Sequence, residues 1–443
     1  MRSALVVGMG VTGEAVARHL RARDVRVTVV EDNPGAGTDE RMARLPEGVE
    51  LVRAPDADAL RALVVAADLV VPSPGVPNAH PVYELAAAAD VPVVNEIELA
   101  ARATTVPIVA VTGTNGKTTV TTLITDMLEA AGRRAVAAGN IGLPLVEAVE
   151  SDAEVIVAEV SSFQLQHTDT FHPQVAVWLN VTADHLDWHP TFEHYAAAKE
   201  RIWRNQAGDD VAIANAEDEA VMNAARAARG RVQTFGIDAG DWHVENGALT
   251  TPTGEPILPV AQLPRSLPHD IANDLAAVAA SVAAGADLDA CRAVLKNFAG
   301  LPHRVQLVSD AGGVKYYDDS KATTPASVVA AARGFDSVVL IAGGKNKGLS
   351  LAPLADTADH VRAVVAIGDA SGEVEAAFAG VRPVTRAASM RDAVSAARRL
   401  AQAGDVVLLS PGCASFDWYR NYAERGDDFV RVVHELVGAG GAS

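Results

Sequence analysis

Cysteine and long apolar stretches are both scarce in this sequence. Only Cys291 and Cys413 occur among 443 residues, far apart along the chain, which argues against a disulfide framework and favours a reducing compartment. No uncharged apolar stretch approaches the ~20 residues that a membrane span needs, and the alanine-rich segment 275–286 is more simply a buried helix. The start, MRSALVVGMG, leads directly into a strand and turn pattern, unlike a signal peptide. We therefore expect a cytoplasmic protein without membrane insertion.

Positive charge is the second scarce feature. The chain has 37 Lys and Arg against 56 Asp and Glu, which gives a formal net charge of −19, and it contains no extended basic run. This balance argues against nucleic acid or an anionic membrane as the main partner. Hydrophobic residues make up 49% of the chain and charged residues 21%, a composition typical of a compact α/β protein. At roughly 150 residues per domain, the length fits three domains.

Short β-branched runs alternate with alanine-rich helical patterns throughout, as βαβ units of a parallel sheet require. The predicted strands cover residues 4–8, 27–31, 69–73 and 91–95, then 106–113, 153–160 and 174–181, and finally 313–319, 337–344, 363–369 and 405–412. An irregular region at about 236–270 and a helix from Asn273 separate the last two series. The predicted fold class is α/β, with domains at 1–103, 104–300 and 301–443.

Residues 111–120, VTGTNGKTTV, look like a phosphate-binding loop that has lost its first glycine. The usual loop is G-x-x-x-x-G-K-[S/T], and here Gly116, Lys117 and Thr118 fit its end while Val111 occupies its start. Because a strand precedes the segment and a helix follows it, a chance match is disfavoured. We predict that Lys117 and the backbone of residues 113–118 bind phosphates, and that the Thr118 hydroxyl binds Mg²⁺.

Two further segments lie at the ends of neighbouring predicted strands. Glu159 closes the strand at 153–160, and TADHLDWH (182–189) follows the strand at 174–181. In open parallel sheets, ligands bind beyond the carboxyl ends of the strands, so we expect these segments to converge with the phosphate loop. Glu159 is then placed to share Mg²⁺ with Thr118, although in isolation it could be a surface carboxylate.

The segment 182–189 contains four residues that can bind metals. They are Asp184, His185, Asp187 and His189. Two histidines four residues apart could face one zinc ion, but Pro190 makes a long helix through them doubtful. We expect one histidine to help bind a hard cation, and the other three residues to cap a helix end or to face solvent.

Lys199 lies in the apolar stripe of a predicted helix at 191–203. Phe192, Tyr195 and Ile202 share its face at i, i+3, i+4 and i+7 spacing. A lysine in such a position either extends its ammonium group back to water or serves a function that alters its charge.

The opening motif GMGVTG leaves two interpretations open. With Glu31 about twenty residues further on, at the end of the second predicted strand, it matches a dinucleotide fingerprint and could indicate NAD. Alone the motif is weak, and the same fold can bind other nucleotides.

Nine segments together carry a family resemblance. They are TGTNGKTTV, GNIGLP (139–144), EVSSFQL (159–165), NVTADHLDWH, AAKERI, GLPHRVQ (300–306), DDSKATTP (318–325), GGKNKG (343–348) and LSPGCASFDWYRNYAERG (409–426). In this order, they resemble the ATP-dependent Mur ligases of peptidoglycan synthesis over essentially the whole chain. GMGVTG, SPGV at 73–76, DSKAT and CASFD resemble the branch of that family that adds D-glutamate.

The resemblance implies a fold and a reaction. The fold comprises an N-terminal Rossmann-like domain that binds UDP, a central P-loop-type ATP-binding domain with a parallel sheet, and a C-terminal Rossmann-like domain that binds D-glutamate and completes the ATP site. In the implied reaction, ATP phosphorylates the alanyl carboxylate of UDP-N-acetylmuramoyl-L-alanine, and the amine of D-glutamate attacks the acyl phosphate. Activation must come first because a carboxylate is a poor acyl donor.

The resemblance also implies residue roles. The ATP-binding residues are Gly113, Thr114, Asn115, Gly116, Lys117, Thr118, Thr119, Asn273, Arg304 and Asp319. The UDP substrate contacts Gly10, Val11, Thr12, Glu31, Ser73, Gly75 and Asn140, and D-glutamate contacts Lys321, Thr323, Lys347, Ser415 and Tyr422. The catalytic residues are Lys117, Glu159, His185 and Lys199. Thr118 and Glu159 hold one Mg²⁺, and His185 and Lys199 hold a second, Lys199 as a carbamate.

Two positions depart from the family pattern. The family motif H-N-x-x-N reads HDIAN at 269–273, so the residue expected at the adenine is Asp270, whose ionised carboxylate can accept hydrogen bonds but not donate them. Tyr422 stands where some members have Phe, which preserves an aromatic wall.

Other functions remain open from the sequence. A sibling ligase, a folylpolyglutamate synthase, an NAD-dependent oxidoreductase and a catalytically inactive nucleotide-binding regulator are the alternatives. We expect small-molecule substrates only, no nucleic acid, and a monomer.

Overall fold

The computed structural model describes residues 1–184 and 188–438 of the chain. They divide into two compact units, one made of residues 1–266 and 270–298, and the other of residues 267–269 and 299–438. Each unit is described by itself.

The first unit begins with a four-stranded parallel sheet. Its elements are β1 (Ser3–Val7), α1 (Val11–Arg21), β2 (Arg26–Glu31), α2 (Ala36–Met42), β3 (Val49–Arg53), α3 (Ala57–Val65), β4 (Val70–Pro72), α4 (Pro81–Ala88) and α5 (Glu96–Ala103). The strand order is β3-β2-β1-β4, so the chain reverses direction across the sheet at β1. The carboxyl ends of β1 and β4 therefore flank a crevice where a ligand can bind.

A six-stranded parallel sheet follows in the same unit. Its elements are β5 (Ile108–Thr112), α6 (Lys117–Ala130), β6 (Ala135–Gly139), α7 (Leu145–Ala148), β7 (Val155–Glu159), α8 (Ser162–Leu165), β8 (Val175–Trp178), α9 (Phe192–Glu200), a 3₁₀ turn (Arg201–Trp203), β9 (Val211–Asn215), α10 (Glu219–Ala225) and β10 (Arg231–Phe235). The strand order is β10-β9-β8-β5-β7-β6. Strand β5 lies between β8 and β7, so the segments that follow these three strands meet at one edge.

The rest of the first unit is a small antiparallel sheet with two helices. It comprises β11 (His243–Glu245), β12 (Ala248–Thr250), β13 (Pro256–Pro259), a 3₁₀ turn (Val260–Gln262), α11 (Pro268–Ala283) and α12 (Leu288–Asn297), with the first two residues of α11 assigned to the other unit. Helix α11 is buried along most of its length, and its apolar residues pack with those of α6 in one core.

The second unit contains the third large sheet. Its elements are β14 (Gln306–Ala311), β15 (Val314–Asp318), α13 (Pro325–Ala332), β16 (Val338–Gly343), a 3₁₀ turn (Ala352–Thr357), β17 (Val361–Ile367), α14 (Ser371–Ala377), β18 (Val384–Arg386), α15 (Met390–Leu400), β19 (Val406–Leu409) and α16 (Tyr422–Gly438). The order is β14-β15-β19-β16-β17-β18, and every pairing except β14 with β15 is parallel.

The predicted α/β class and three-part organisation are confirmed, while several elements differ from the prediction. The strand predicted at 91–95 is wrong: Val93 makes only an isolated bridge to Val70, because Pro92 has no N–H to donate and Asn95 caps α5. The sequence analysis did not predict six further strands, which are β3, β6, β9, β10, β14 and β18. The alanine-rich sequence of β6 has little intrinsic preference for a strand. The region predicted to be irregular contains β11 to β13, and α11 begins five residues before Asn273.

No helix within residues 1–184 and 188–438 is long and apolar enough to cross a membrane.

Glu98 on α5 joins the first sheet to the second. Its side chain is fully buried, and its carboxylate accepts hydrogen bonds from the backbone N–H groups of Asp169, Thr170 and Phe171 and from the Thr170 hydroxyl. Arg102 Nε donates a further bond at 2.7 Å. Burial opposes ionisation, but the bonds from Thr170 and Asp169 outweigh it and hold the pKa of Glu98 below its usual value.

We expect Glu98→Ala to lower the free energy of unfolding by about 3 kcal/mol at pH 7, because it leaves buried N–H groups without acceptors. Since the folded pKa is depressed, the carboxylate contributes stability above its unfolded pKa and loses it as the pH falls through the folded pKa. Urea unfolding at pH 7 and pH 4 should therefore show a smaller difference between variant and parent in acid. Glu129→Ala, at an exposed position on α6, is the control and should change stability by less than about 0.5 kcal/mol. Equal stability of both variants at pH 7 would contradict the anchoring role.

Candidate active site

The described parts of the three segments predicted to converge, which include residues 182–184 after β8, do so at the carboxyl edge of the central sheet. Val111 of β5 pairs with Glu159 of β7, and Thr112 pairs with Trp178 of β8. The phosphate loop, Glu159 and the segment after β8 are therefore immediate neighbours, as expected for strands that run parallel.

The phosphate loop is held in shape by two asparagine side chains. Gly116 has φ +84°, and a Cβ at this position would overlap the side-chain oxygen of Asn273 on α11. Asn180, after β8, accepts hydrogen bonds from the N–H groups of Thr114 and Asn115 through Oδ1, at 3.0 and 2.9 Å. Helix α6 begins at Lys117, so its N-terminal N–H groups face the same edge. Asn180 is the first residue of the segment NVTADHLDWH, but the sequence analysis gave it no role.

Two lysines meet at one carbonyl group of this loop. Lys117 Nζ and Lys199 Nζ each donate to the Gly113 carbonyl at 2.8 Å, and Lys117 also donates to the Thr114 carbonyl at 2.9 Å. Lys199 is only 1% exposed, so its ammonium group does not reach water as the alternative interpretation required. Burial, followed by the charge of Lys117, lowers the pKa of Lys199 well below its usual value. A larger fraction of Lys199 is therefore a neutral, nucleophilic amine.

Glu159 has the features of a cation ligand. It is 1% exposed, and its Oε1 accepts a hydrogen bond from Asn140 Nδ2 at 2.8 Å. Its Oε2 is buried without a hydrogen-bond partner among the described residues. A buried carboxylate oxygen of this kind needs a compensating charge, and a hard cation such as Mg²⁺ supplies one. The residues present therefore fit a magnesium ion beside Glu159, with Thr118 at the start of α6.

Of the four residues predicted to bind metals in the segment 182–189, the structure describes two. His185 and Asp187 lie outside the described residues. Asp184 is buried, and His189 is completely buried rather than capping or solvated: its Nε2 lies 3.0 Å from Ser162 Oγ and its Nδ1 lies 3.0 Å from His194 Nδ1. The described residues contain no group of three His, Cys, Asp or Glu side chains suited to a metal. His189 is buried because it packs against the Phe163 and Tyr195 rings, a tertiary contact that the local sequence does not reveal.

The seven residues predicted to contact UDP line one cavity of about 460 Å³ in the first unit. The members of this set are Gly10, Val11, Thr12, Glu31, Ser73, Gly75 and Asn140. The cavity lies at the carboxyl ends of β1, β2 and β4, and Asn140 and Gln164 reach it from the second sheet. Sequence reasoning missed Asp32, Asn33, His80 and Gln164, although Asp32 and Asn33 directly follow the strand that ends at Glu31.

The backbone around this cavity is fixed by Glu31. Its carboxylate accepts hydrogen bonds from the N–H groups of Met9, at 2.8 Å, and Asn33, at 3.0 Å. Ser73 Oγ donates to the Gly8 carbonyl at 3.0 Å. Gly13 allows α1 to approach β1, since a Cβ there would overlap the Gly8 carbonyl oxygen. Gly13, the third glycine of GMGVTG, thus allows α1 to pack closely against β1. Glu31 fixes the backbone of the loops that follow β1 and β2.

In the second unit, the predicted residues follow three adjacent strands. Lys321 and Thr323 follow β15, Ser415 follows β19, and Lys347 follows β16. Lys321 Nζ lies 3.9 Å from the centre of the Tyr422 ring, a cation–π contact. Ser415 is buried and Lys347 is exposed. The topology therefore brings two cationic side chains to one sheet edge.

Asp319, at the same edge, is buried and accepts hydrogen bonds from Ser410 Oγ at 2.7 Å and from the N–H of Val305 at 3.3 Å. Burial raises the pKa of Asp319 to about 7. Arg304 adjoins Val305 in the chain, and its positive charge favours ionisation of Asp319.

Three family models match the chain in sequence order. The model described as "Mur ligase MurD-like, N-terminal domain" matches residues 2–95, "Mur ligase middle domain" matches residues 111–281, and "Mur ligase, glutamate ligase domain" matches residues 303–413.

Curated relatives are similar over nearly the whole chain. The UDP-N-acetylmuramoylalanine–D-glutamate ligase of Geobacter metallireducens is 42% identical, and that of Desulfatibacillum aliphaticivorans is 41% identical; each alignment covers 98% of both chains. Among solved structures, a pseudomurein peptide ligase type C from Methanothermus fervidus has a TM-score of 0.62 at 17% identity, covering 98% of this chain and 100% of that one. The UDP-N-acetylmuramate-alanine ligase MurC of Thermotoga maritima has a TM-score of 0.60 at 20% identity, covering 98% and 99%. These structures support the fold alone.

Gly116→Ala should weaken ATP binding at least about tenfold, because the new methyl group would push Asn273 away from the phosphate loop. Gly132→Ala is a matched control, since Gly132 has φ +80° but nothing within 4 Å of the position that a methyl group would take. Both variants should lose about 1 kcal/mol of stability to backbone strain. Calorimetric titration with Mg²⁺ and ATP should separate them, and equal affinities would contradict the role assigned to the loop shape.

Proposed function

Because the chain belongs to the Mur ligase family, we propose that it is the ATP-dependent ligase that joins D-glutamate to UDP-N-acetylmuramoyl-L-alanine in peptidoglycan precursor synthesis. The near-complete coverage by relatives of that name supports this activity. The three family models, which describe an N-terminal domain, a middle domain and a glutamate ligase domain, match the chain in this order.

The observation that carries the proposal is the position of Asn140. Its side chain lines the 460 Å³ cavity, and it donates a hydrogen bond to Glu159, which lies beside the phosphate loop. One residue therefore connects a nucleotide-sized cavity with a phosphate-transfer site. A UDP-linked substrate held in the cavity would have its free carboxylate directed towards Lys117 and Glu159.

The proposed reaction has two steps. An oxygen of the alanyl carboxylate attacks the γ-phosphorus of ATP, so that the bond to ADP breaks and an acyl phosphate forms. The amine of D-glutamate then attacks the carbonyl carbon, loses a proton and expels inorganic phosphate. Lys117 and the N–H groups of the phosphate loop bind the transferring phosphoryl group and position it in line.

Thr118 and Glu159 would hold one Mg²⁺, and His185 and Lys199 are proposed for a second. When bound, Mg²⁺ neutralises negative charge on the phosphates. An ammonium group cannot bind a metal, so Lys199 requires a change of charge. Its neutral amine can attack carbon dioxide to give a carbamate and a proton, and its lowered pKa favours this reaction.

The remaining roles are proposals for residues of both units. Asn273, Arg304 and Asp319 are proposed to bind ATP, and Lys321, Thr323, Lys347, Ser415 and Tyr422 to bind D-glutamate. Lys321 and Lys347 suit a substrate with two carboxylates. We also propose boundaries near residues 103 and 300, a monomeric state and a cytoplasmic location.

The first experiment is phosphate release from ATP with UDP-N-acetylmuramoyl-L-alanine as acceptor. We expect turnover with D-glutamate and none with L-glutamate, meso-diaminopimelate or L-lysine. Turnover with another amino acid would identify a sibling ligase. ATP binding without turnover would indicate an inactive regulator, and a fluorescence change on addition of NADH would favour the oxidoreductase alternative.

Lys199→Ala should lower turnover at least about 100-fold, because it removes both the proposed carbamate and its charge. Small carboxylic acids should restore part of the activity by occupying the vacated position. Lys296→Ala, at an exposed position on α12, is the control and should retain full turnover. In ¹³C-bicarbonate, the parent protein should give a carbamate NMR signal that Lys199→Ala lacks. Absence of both rescue and signal would refute the carbamate.

A further inference from the structure

Another large cavity lies in the first unit, at the opposite end of the first sheet from the nucleotide-sized cavity. Its volume is about 660 Å³, which is within the range of small-molecule sites. It is bordered by the residues that precede β1 and β4, by the end of α1 and by the second half of α5. We call it the amino-end cavity, because the parallel strands β1 and β4 begin there.

The floor of the amino-end cavity is apolar. Leu20, Leu69 and Leu99 line it, and all three are buried in the surrounding core. Pro92 adds a further apolar wall. Such a floor favours a ligand with a carbon body over a bare ion, because covering apolar surface is the favourable term that it offers.

The rim of the cavity carries three guanidinium groups and one carboxylate. The arginines are Arg2, Arg23 and Arg102, and the carboxylate is that of Asp68. Asp68 Oδ2 already accepts hydrogen bonds from the backbone N–H groups of Arg2 and Ser3, at 2.5 and 3.0 Å. In a chain with a formal net charge of −19, this local excess of positive charge favours an anion.

One of the three arginines is already engaged. Arg23 Nη2 donates to Glu150 Oε1 at 2.7 Å, and Arg23 Nη1 donates to the His19 carbonyl at 3.1 Å. Its guanidinium therefore serves mainly to join α1 to the segment after α7.

The other two arginines retain N–H groups for a ligand. Arg102 Nε donates to Glu98, but its two Nη groups have no partner among the described residues. Glu98 also accepts bonds from residues 169–171, so its charge is not reserved for Arg102. The Arg2 guanidinium has no hydrogen-bond or ion-pair partner within residues 1–184 and 188–438.

A carboxylate suits these donors better than other anions of small size. The N–H groups of a guanidinium form a planar fork that matches the two oxygens of a carboxylate. Since the floor is apolar and the free donors lie on the rim, the ligand must have a charged end and an uncharged end.

We propose that the amino-end cavity binds a small amphipathic carboxylic acid, whose carboxylate pairs with Arg2 and Arg102. Its apolar body lies on the three buried leucines. The nucleotide-sized cavity lies beyond the carboxyl ends of the same strands, so both cavities can be occupied at once. This site is separate from the proposed ligase reaction and needs neither ATP nor D-glutamate.

The probe for this site is 1-naphthaleneacetate, which joins a carboxylate to an apolar ring system. We expect the full-length protein, with any affinity tag at its carboxyl terminus, to bind the probe with a Kd of about 1 mM or tighter in ligand-observed NMR titrations. 1-Naphthaleneacetamide has the same body without the charge and should bind at least about fivefold more weakly. Failure of the acid to bind, or equal affinities for acid and amide, would overturn the proposal.

Arg2→Met should weaken binding of the acid about threefold and leave binding of the amide unchanged, because only the charged contact is lost. Arg102→Met should have the same effect, and Arg2→Met is the safer variant because no side-chain contact of Arg2 is lost. Arg61→Met, at an exposed position on α3 outside the cavity lining, is the matched control and should change neither affinity. Parent affinity for the acid in both Arg2→Met and Arg102→Met would contradict the assignment.

Competition separates this site from the nucleotide sites. Saturating UMP, or ATP with Mg²⁺, should leave the affinity for 1-naphthaleneacetate unchanged. Displacement of the probe by either nucleotide would place it at the nucleotide-sized cavity or the phosphate loop and would overturn the proposal. These titrations involve no turnover, so their outcome is independent of the amino-acid panel that tests the proposed function.

Discussion

The contact of two lysines with the Gly113 carbonyl is the constraint around which the central site is organised. The chain has only seven lysines, and two of them place their ammonium nitrogens 2.8 Å from the same oxygen. Like charges in a buried place repel, so this arrangement is costly unless an anion binds or one lysine becomes neutral. An acidic protein thereby concentrates positive charge where phosphates would bind. Burial, and after it the charge of Lys117, lowers the pKa of Lys199.

The rest of the first unit holds this contact in place. Parallel pairing of β5 with β7 and β8 fixes the relative heights of the loop, Glu159 and Asn180. Asn273 and Asn180 constrain the loop from two sides, and Asn140 links Glu159 to the nucleotide-sized cavity. Buried polar groups thus specify the geometry, while the apolar cores supply most of the folding energy. Loss of one such partner leaves a buried polar atom unsatisfied, which is why these sites should tolerate substitution poorly.

Charge compensation recurs across the molecule in different forms. Glu98 is held ionised by backbone N–H groups, whereas Asp319 and Asp274 are shifted towards the neutral form by burial. Asp270 instead has an arginine partner. A carboxyl side chain therefore serves as a structural anchor, has its pKa raised by burial, or forms half of an ion pair, according to the groups around it.

The sequence by itself determined the α/β class, the order of the three sheets along the chain, and the residues of the phosphate loop, because periodicity and glycine position are local properties. It also placed Lys199 on the apolar side of α9, whereas the seven predicted residues of the nucleotide-sized cavity came from the family resemblance. Only the tertiary structure decided that Lys199 and Lys117 share one carbonyl, that His189 is buried against Phe163, and that Arg265 pairs with Asp270. It also revealed β6 and the sheet of β11 to β13, whose sequences carry weak strand signals. These features depend on which distant segments become neighbours, and local sequence does not encode the distances between them.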